Sequence, residues 1–442
     1  MLDYLIKNAA IITMDDSRPL IKSGCIGISD GKIAFVCEEI EPDPNKSAAK
    51  RLIDAHGSIV MPGLINTHAH TAMCIMRGFA DDMKLDEWLF EHVFPVESRL
   101  SERAVLAGVR LGIAEMLASG TTSFSDMYMH EPQTAQIVLE SGIRANLSNG
   151  VIALGEDYSF EGDRAVRELR ELLSDWHGAD NGRILADAAI HAEYTSPPWV
   201  WEQMHALARE NGLITQLHLS ETKKERDECM LRHGGRSPVR VFFDHGILDT
   251  PVLAAHGVWL DEDDIELLKQ KQVSIAHCPV SNLKLASGAA HVKQLIERGV
   301  NVSLGTDGCA SNNSHDLFEE IKLASLLCKG INLDPTVLPA YAALKLATVN
   351  GAKAQGRRNL GMLKEGYDAD LIMLNTNSPH MRPIYDPIST AVYSARGSDV
   401  CLTMVRGMIL YENGEFKTID IERALYDVEH TAVPIVLGRS GS

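Results

Sequence analysis

Through its middle the chain switches again and again between short apolar runs and longer runs whose apolar residues fall three and four apart. The short runs include Thr121–Asp126, Ile184–Ile190, Leu213–Leu217, Val252–Ala255, Val273–Ala276 and Val300–Leu304; Glu102–Ser119 and Pro198–Asn211 are among the long ones. Strands separated by helices at this spacing must pair in parallel through crossover connections. About eight such units over roughly 300 residues predict an α/β fold, a (β/α)8 TIM-like barrel. An open doubly wound sheet is the rival, but no glycine-rich dinucleotide loop follows any strand, which removes the usual reason to prefer it. Both ends of the chain read differently. Leu5–Thr13, Gly24–Ile28 and Lys32–Cys37 are strand-like at one end, and Asp370–Leu374, Cys401–Val405 and Arg406–Tyr411, before the turn at Asn413-Gly414, at the other. Neither set can build a core alone, so residues 1–57 and 360–442 are expected to form one small β-sandwich module beside a catalytic barrel of residues 58–359.

The 442 residues, 45% of them apolar, can fill such a core. A net charge of -18 argues against nucleic-acid binding, which needs clustered Lys and Arg, and favours a neutral or partly cationic small molecule as substrate. The eight cysteines are scattered without a CxxC and read as reduced thiols of a cytoplasmic protein. No apolar run approaches the roughly 20 residues that span a bilayer, and Met1–Ile12 lacks the features of a signal peptide, so neither secretion nor membrane insertion is expected.

The chemistry concentrates at the predicted strand ends. His68 and His70 flank Ala69, so in an extended chain both imidazoles point to one face; the run Ser58–Met61 supplies their strand, with Pro62-Gly63 breaking its regularity. His218, with Glu221 three residues on, ends another strand; His256 and Asp307 end two more. A barrel would converge these side chains at its C-terminal mouth, where three histidines and a carboxylate can surround a metal and leave a place for water. His56, His92, His130, His177, His205, His233, His245, His291, His315 and His380 lack such a setting and read as surface or structural residues.

His68-Ala69-His70, His218 with Glu221, His256 and Thr306-Asp307-Gly308 resemble the amidohydrolase superfamily over the whole chain. Arg77-Gly78, Glu87-Trp88-Leu89, Pro95-Val96-Glu97, the run from His218 to Thr222, Ser281–Leu285 and Gly305–Asn313 look like its methylthioadenosine/S-adenosylhomocysteine deaminase group, and triazine hydrolases share much of this wording. The resemblance implies His68, His70, His218 and Asp307 as metal ligands. The fourth strand, Ala186–Glu193, offers no lysine to bridge two ions, so one divalent metal per subunit is expected; zinc suits the donors, and iron or manganese could use the same set.

The same resemblance implies roles for the rest. Asp307 receives the proton of water, Glu221 shuttles protons to the ring nitrogen and the leaving amine, and His256 hydrogen-bonds the attacking oxygen. Glu97 is assigned to the ribose hydroxyls, His191 to the nucleoside face, and Trp88 to the substrate pocket. Asn149 stands where related deaminases can carry an arginine facing the far end of the substrate, and Arg164 is the candidate to take over part of that role. Residues 150–170 are expected to form a loop near the site. The expected activity is hydrolytic deamination of an adenosine-type nucleoside. A deaminase or hydrolase of a bare heterocycle and a catalytically silent scaffold are the alternatives, and a homo-oligomer is expected by family likeness.

Overall fold

The computed structural model describes residues 1–38, 48–155 and 157–439. Its centre consists of two five-stranded parallel sheets. One contains Leu64–His70, Thr121–Met127, Arg144–Ser148 and Ile184–Ala186 in that order, with Asp307–Gly308 beside the first. The other contains Ala188–Ile190, Thr215–Leu219, Val252–His256, Ser274–His277 and Asn301–Leu304. Only Asp187 separates the end of one sheet from the start of the other, and only Gly305 and Thr306 separate them at the second junction. Hydrogen bonds continue across both places. Asp187 N donates to Leu147 O at 2.9 Å while Ala188 N donates to Ile214 O at 2.9 Å, and Gly305 N donates to His277 O at 3.0 Å. Gly305 has to be glycine, because a Cβ there would lie 2.7 Å from the His68 Cβ.

The intervening helices start where the sequence supplies a cap. Ser101 accepts from Ala104 N at the head of Glu102–Ala118, and Asp163 accepts from Ala165 N at the head of Arg164–Glu171. The segment expected as a loop over 150–170 is thus helical from Arg164 onward. Among the described residues no helix is long and apolar enough to cross a membrane.

Both chain ends meet in one nine-stranded sheet. Ile59–Pro62 is the strand that joins them, parallel to Leu2–Ile12 on one side and antiparallel to Leu371–Leu374 on the other. This corrects the sequence reading, in which that apolar run supplied the strand of His68 and His70: Gly63 ends it, and Leu64–His70 is a separate strand in a different sheet. Strands not foreseen include Ala49–Asp54, which pairs with Leu2–Ile12, Arg144–Ser148, and Glu415–Phe416, which pairs with Met408–Glu412. Ile6, Ile26, Leu371 and Met404 share the apolar core of the terminal sheet. Arg144 ties it to the centre through Asp370, at 2.7 Å, and Asp368, at 2.9 Å.

Candidate active site

Side chains two apart on a strand share a face, so His68 and His70 emerge together from Leu64–His70, His218 from Thr215–Leu219 and His256 from the end of Val252–His256. Asp307 follows the break after Leu304. All five are buried and mutually close. Asp307 Oδ1 lies 3.4 Å from His68 Nε2 and 3.2 Å from His70 Nε2, and His218 Nε2 lies 3.4 Å from His70 Nε2. The backbone pays for this placement. Ser220, His256 and Asp307 adopt φ of 49°, 74° and 61°, a left-handed conformation that costs a non-glycine residue about 1–3 kcal/mol.

These donors fit a divalent ion. His70 Nδ1 and His218 Nδ1 face the carbonyls of Met127 and His191 at 2.6 and 2.7 Å, which fixes both rings with Nε2 toward the centre. The buried His68 Nε2 has no hydrogen-bond partner. Separations of 3.2–3.4 Å match the edge of a tetrahedron built on bonds of about 2.1 Å. The ligand atoms of His68, His70 and Asp307 lie within 4.8 Å of one another, as do those of His68, His218 and His256. Burial pulls the His68 imidazole down to about 4. Burial also opposes charge on His70, but the Asp307 carboxylate outweighs it and holds that ring at about 9. Although burial works against its charge, Asp307 is kept well below the usual carboxylate range by His68 and His70.

A cavity of about 390 Å³ opens over this cluster. His256 Nε2 faces it 3.8 Å from Glu221 Oε2. Glu97, His191, Trp88, Asn149 and Arg164 also line it, with His70, His218, Glu221, His256 and Asp307; His68 does not line it but joins the cluster below through Asp307. Asn149 and Arg164 are not free there. Asn149 Nδ2 donates to Glu168 Oε2 at 2.9 Å, and Arg164 Nε lies 3.9 Å from Glu168 Oε1. Burial raises the Glu97 carboxyl, against the Tyr128 hydroxyl beside it.

Several neighbours of the site escaped the sequence reading. His277 ends the strand Ser274–His277 and is buried beside His256, and burial holds it down at about 3. Glu225 accepts from Ser220 N at 2.8 Å and Glu221 N at 2.7 Å, anchoring the turn that carries Glu221. The signal for His277 was available, a histidine at a strand end like the others; Glu225 reads as an ordinary helical glutamate.

A model of the amidohydrolase family matches residues 59–410. The chain belongs to that family. Its amidohydrolase relatives include the 5'-deoxyadenosine deaminase of Methanosarcina mazei, 44% identical over 436 residues and 99% of both chains. The 5-methylthioadenosine/S-adenosylhomocysteine deaminase of Acetivibrio thermocellus is 42% identical over 98% of this chain and 99% of its own. Among solved structures, an adenosine deaminase from Xanthomonas campestris with bound zinc superposes with a TM-score of 0.92 at 30% identity, covering 98% of each chain. A triazine hydrolase superposes with a TM-score of 0.89 over 99% of this chain and 100% of its own, and at 23% identity that likeness speaks for the fold alone. The shared amidohydrolase architecture is TIM-barrel-like, with mixed α/β content.

Proposed function

We propose that this amidohydrolase is a metal-dependent deaminase that converts an adenosine-type nucleoside and water into the inosine counterpart and ammonia. The candidates are adenosine, 5'-deoxyadenosine, 5'-methylthioadenosine and S-adenosylhomocysteine. One observation carries the reading: three imidazole Nε2 atoms and Asp307 Oδ1 converge at the floor of a cavity whose walls present Glu221, His256, Glu97 and His191. Relatives named for these deaminations align along essentially the whole chain.

His68, His70, His218 and Asp307 would hold one divalent ion per subunit, with zinc favoured by the donor set. Such an ion lowers the pKa of water to roughly 7 and so supplies a nucleophile at neutral pH. The remaining steps belong to the protein. Asp307 takes the proton of the attacking water. Glu221 delivers a proton to the ring nitrogen beside the amine-bearing carbon, takes up the second proton of the attacking water and passes it to the departing amine; the proton held by Asp307 then returns to Glu221 and restores both groups, while His256 hydrogen-bonds the new oxygen. Glu97 accepts from the vicinal ribose hydroxyls, and His191 and Trp88 bound the nucleoside. Asn149 donates to Glu168 and cannot pair bidentately with a carboxylate, and Arg164, half-exposed on the cavity wall, already faces Glu168 at 3.9 Å with Asp163 beside it, which weakens the case for a carboxylate tail. Uncharged 5' groups therefore rank above S-adenosylhomocysteine.

The supporting architecture is read in the same way. The two parallel sheets close into one (β/α)8 barrel through the breaks at Asp187 and Gly305-Thr306, since Ile190 pairs with both Leu217 and Val151, and the Thr67 hydroxyl donates to Leu304 O at 2.8 Å. The terminal strands, with Ile59–Pro62 among them, form the small β-sandwich module around their own core. A screen of the zinc-loaded protein against adenosine, 5'-deoxyadenosine, methylthioadenosine, S-adenosylhomocysteine, guanine and cytosine, following absorbance and ammonia, tests the function. Turnover of an adenosine relative supports it; turnover of guanine or cytosine alone defeats the nucleoside assignment and with it the role of Glu97.

A further inference from the structure

We propose that residues 279–287 act as one positioning strap that aligns three reacting side chains placed at the ends of three different strands. The strap leaves the strand Ser274–His277 as the short helix Pro279–Lys284. Its residues Ser281, Asn282 and Ser287 are all buried. Ser281 Oγ donates to Asp307 Oδ2 at 2.6 Å, His256 Nδ1 faces Asn282 Oδ1 at 2.9 Å, and Ser287 Oγ donates to Glu221 Oε1 at 2.9 Å. Adjacent positions on a helix point about 100° apart, so Ser281 and Asn282 reach toward different strands from a single turn. Ala286, at φ 53°, then reverses the chain and swings Ser287 to the third.

Each contact leaves the reacting atom free. Asp307 keeps Oδ1 for the histidines, His256 keeps Nε2 for the cavity, and Glu221 keeps Oε2 facing His256 at 3.8 Å. Asn282 thereby selects the ring orientation of His256, as a carbonyl does for His70 and His218. The strap is itself held by neighbours. Val280 N donates to Glu320 Oε2 at 3.2 Å, Lys284 Nζ donates to Asp81 Oδ1 at 2.6 Å, and Trp259 Nε1 donates to Ser287 O at 2.7 Å. Ser281, Asn282 and Ser287 do not line the cavity, so their effect on the reaction passes through the groups they touch.

The proposal rests on the reading of Glu221, His256 and Asp307 as reacting groups. Its test combines kinetics with crystal structures of the zinc-loaded variants. Ser287→Ala and Asn282→Leu should each lower kcat roughly 10–100-fold with KM changed by less than about threefold, and Asn282→Asp, which keeps the acceptor oxygen, should recover most of the loss. Adding S287A to E221Q, or N282L to H256A, should cost less than about twofold more, because the reacting group that the strap positions is already gone. In the S287A crystal the Glu221 carboxylate should be rotated with the His68, His70 and Asp307 cluster unmoved. Losses that multiply in the double variants, or a Glu221 that stays in place, overturn the strap. Failure of the nucleoside assignment looks different. The cycles can then be run on whichever amine-bearing ring is turned over, and the crystal readout needs no substrate.

Discussion

Asn66 and Gln216 stand two residues before His68 and His218 on their strands, so the same faces carry one polar layer directly beneath another. In the lower layer most polar atoms are spent on one another, although Gln216 Oε1 is left without a partner. Asn146 Nδ2 donates to Asp187 Oδ2 at 3.0 Å, and Gln216 Nε2 donates to the same oxygen at 3.0 Å. Arg357 donates through Nε to Asn146 Oδ1 at 3.1 Å, and to the carbonyls of Gly182, Ala145 and Arg183 at 2.6, 2.9 and 3.1 Å. The upper layer is as deeply buried, yet it leaves His68 Nε2, His191 Nδ1 and His277 Nδ1 without partners and twists Ser220, His256 and Asp307 into left-handed backbone. Burial and polarity are common to both. Unspent imidazole nitrogens and stored strain mark the layer that awaits a ligand.

Emptying the upper layer should cost activity and spare the fold; damaging the lower one should do the reverse. The largest effect is expected for His218→Ala, which removes an inward-facing Nε2: activity falls roughly 10³-fold or more with zinc below one equivalent by metal analysis, while the far-ultraviolet circular dichroism keeps its native shape. Unaltered zinc content with full activity would break the contrast. Next comes Arg357→Met, which takes a donor from three carbonyls and from the Asn146 oxygen, although the Arg183 carbonyl keeps the Ala145 N–H at 3.0 Å. It should destabilise the protein by about 3–5 kcal/mol, read as a lower thermal midpoint, while KM of the surviving enzyme stays as in the wild type. A changed KM at unchanged stability would merge the two layers into one functional unit. Glu97→Gln sharpens the contrast from the cavity wall: KM for a ribonucleoside should rise roughly 10–100-fold with stability untouched, because a charge-assisted hydrogen bond to the sugar is weakened.

The upper layer was the readable one. His68 and His70 announce themselves by a two-residue spacing that only an extended chain turns into a shared face, and Glu221, His256 and Asp307 each sit where an apolar strand ends. What stayed hidden depends on tertiary placement. Ser281, Asn282 and Ser287 are ordinary residues for a turn or a helix start, and nothing local says that each meets a different strand. Asn149 and Arg164 were read as facing substrate; the structure puts them at the cavity but hands both to Glu168, an unremarkable helical residue in the sequence. Ile59–Pro62 misled for a related reason. An apolar run says strand without saying which sheet, and it went to the partner supplied by Leu371–Leu374, more than 300 residues further on.

The smallest expected effect probes the lower layer by its charge. Burial raises the Asp187 carboxyl to about 6, against the hydrogen bonds from Asn146 and Gln216 and the charge of Arg357. In the unfolded chain the same group titrates near 3.8. Between these values the folded protein keeps a proton that the unfolded chain has lost, so its contribution to stability is full below about pH 4 and is lost as pH rises through about 6. Two pKa units correspond to roughly 3 kcal/mol. Asp187→Asn cannot titrate and lacks this loss, whatever constant cost it carries from presenting an amide to two amide donors. Thermal midpoints of wild type and variant, compared at pH 4.5 and pH 7, should therefore show the variant gaining a few degrees on the wild type at the higher pH. Other buried carboxyls, Asp126 and Asp316 at about 6 and Glu225 at about 7, titrate in both proteins and cancel from the difference. A difference that does not move with pH would mean that Asp187 stays ionised throughout, held by Arg357 as one half of a buried ion pair. The lower layer would then store charge, as the upper one does, and the two would differ only in whether the countercharge comes from the chain or from a bound ion.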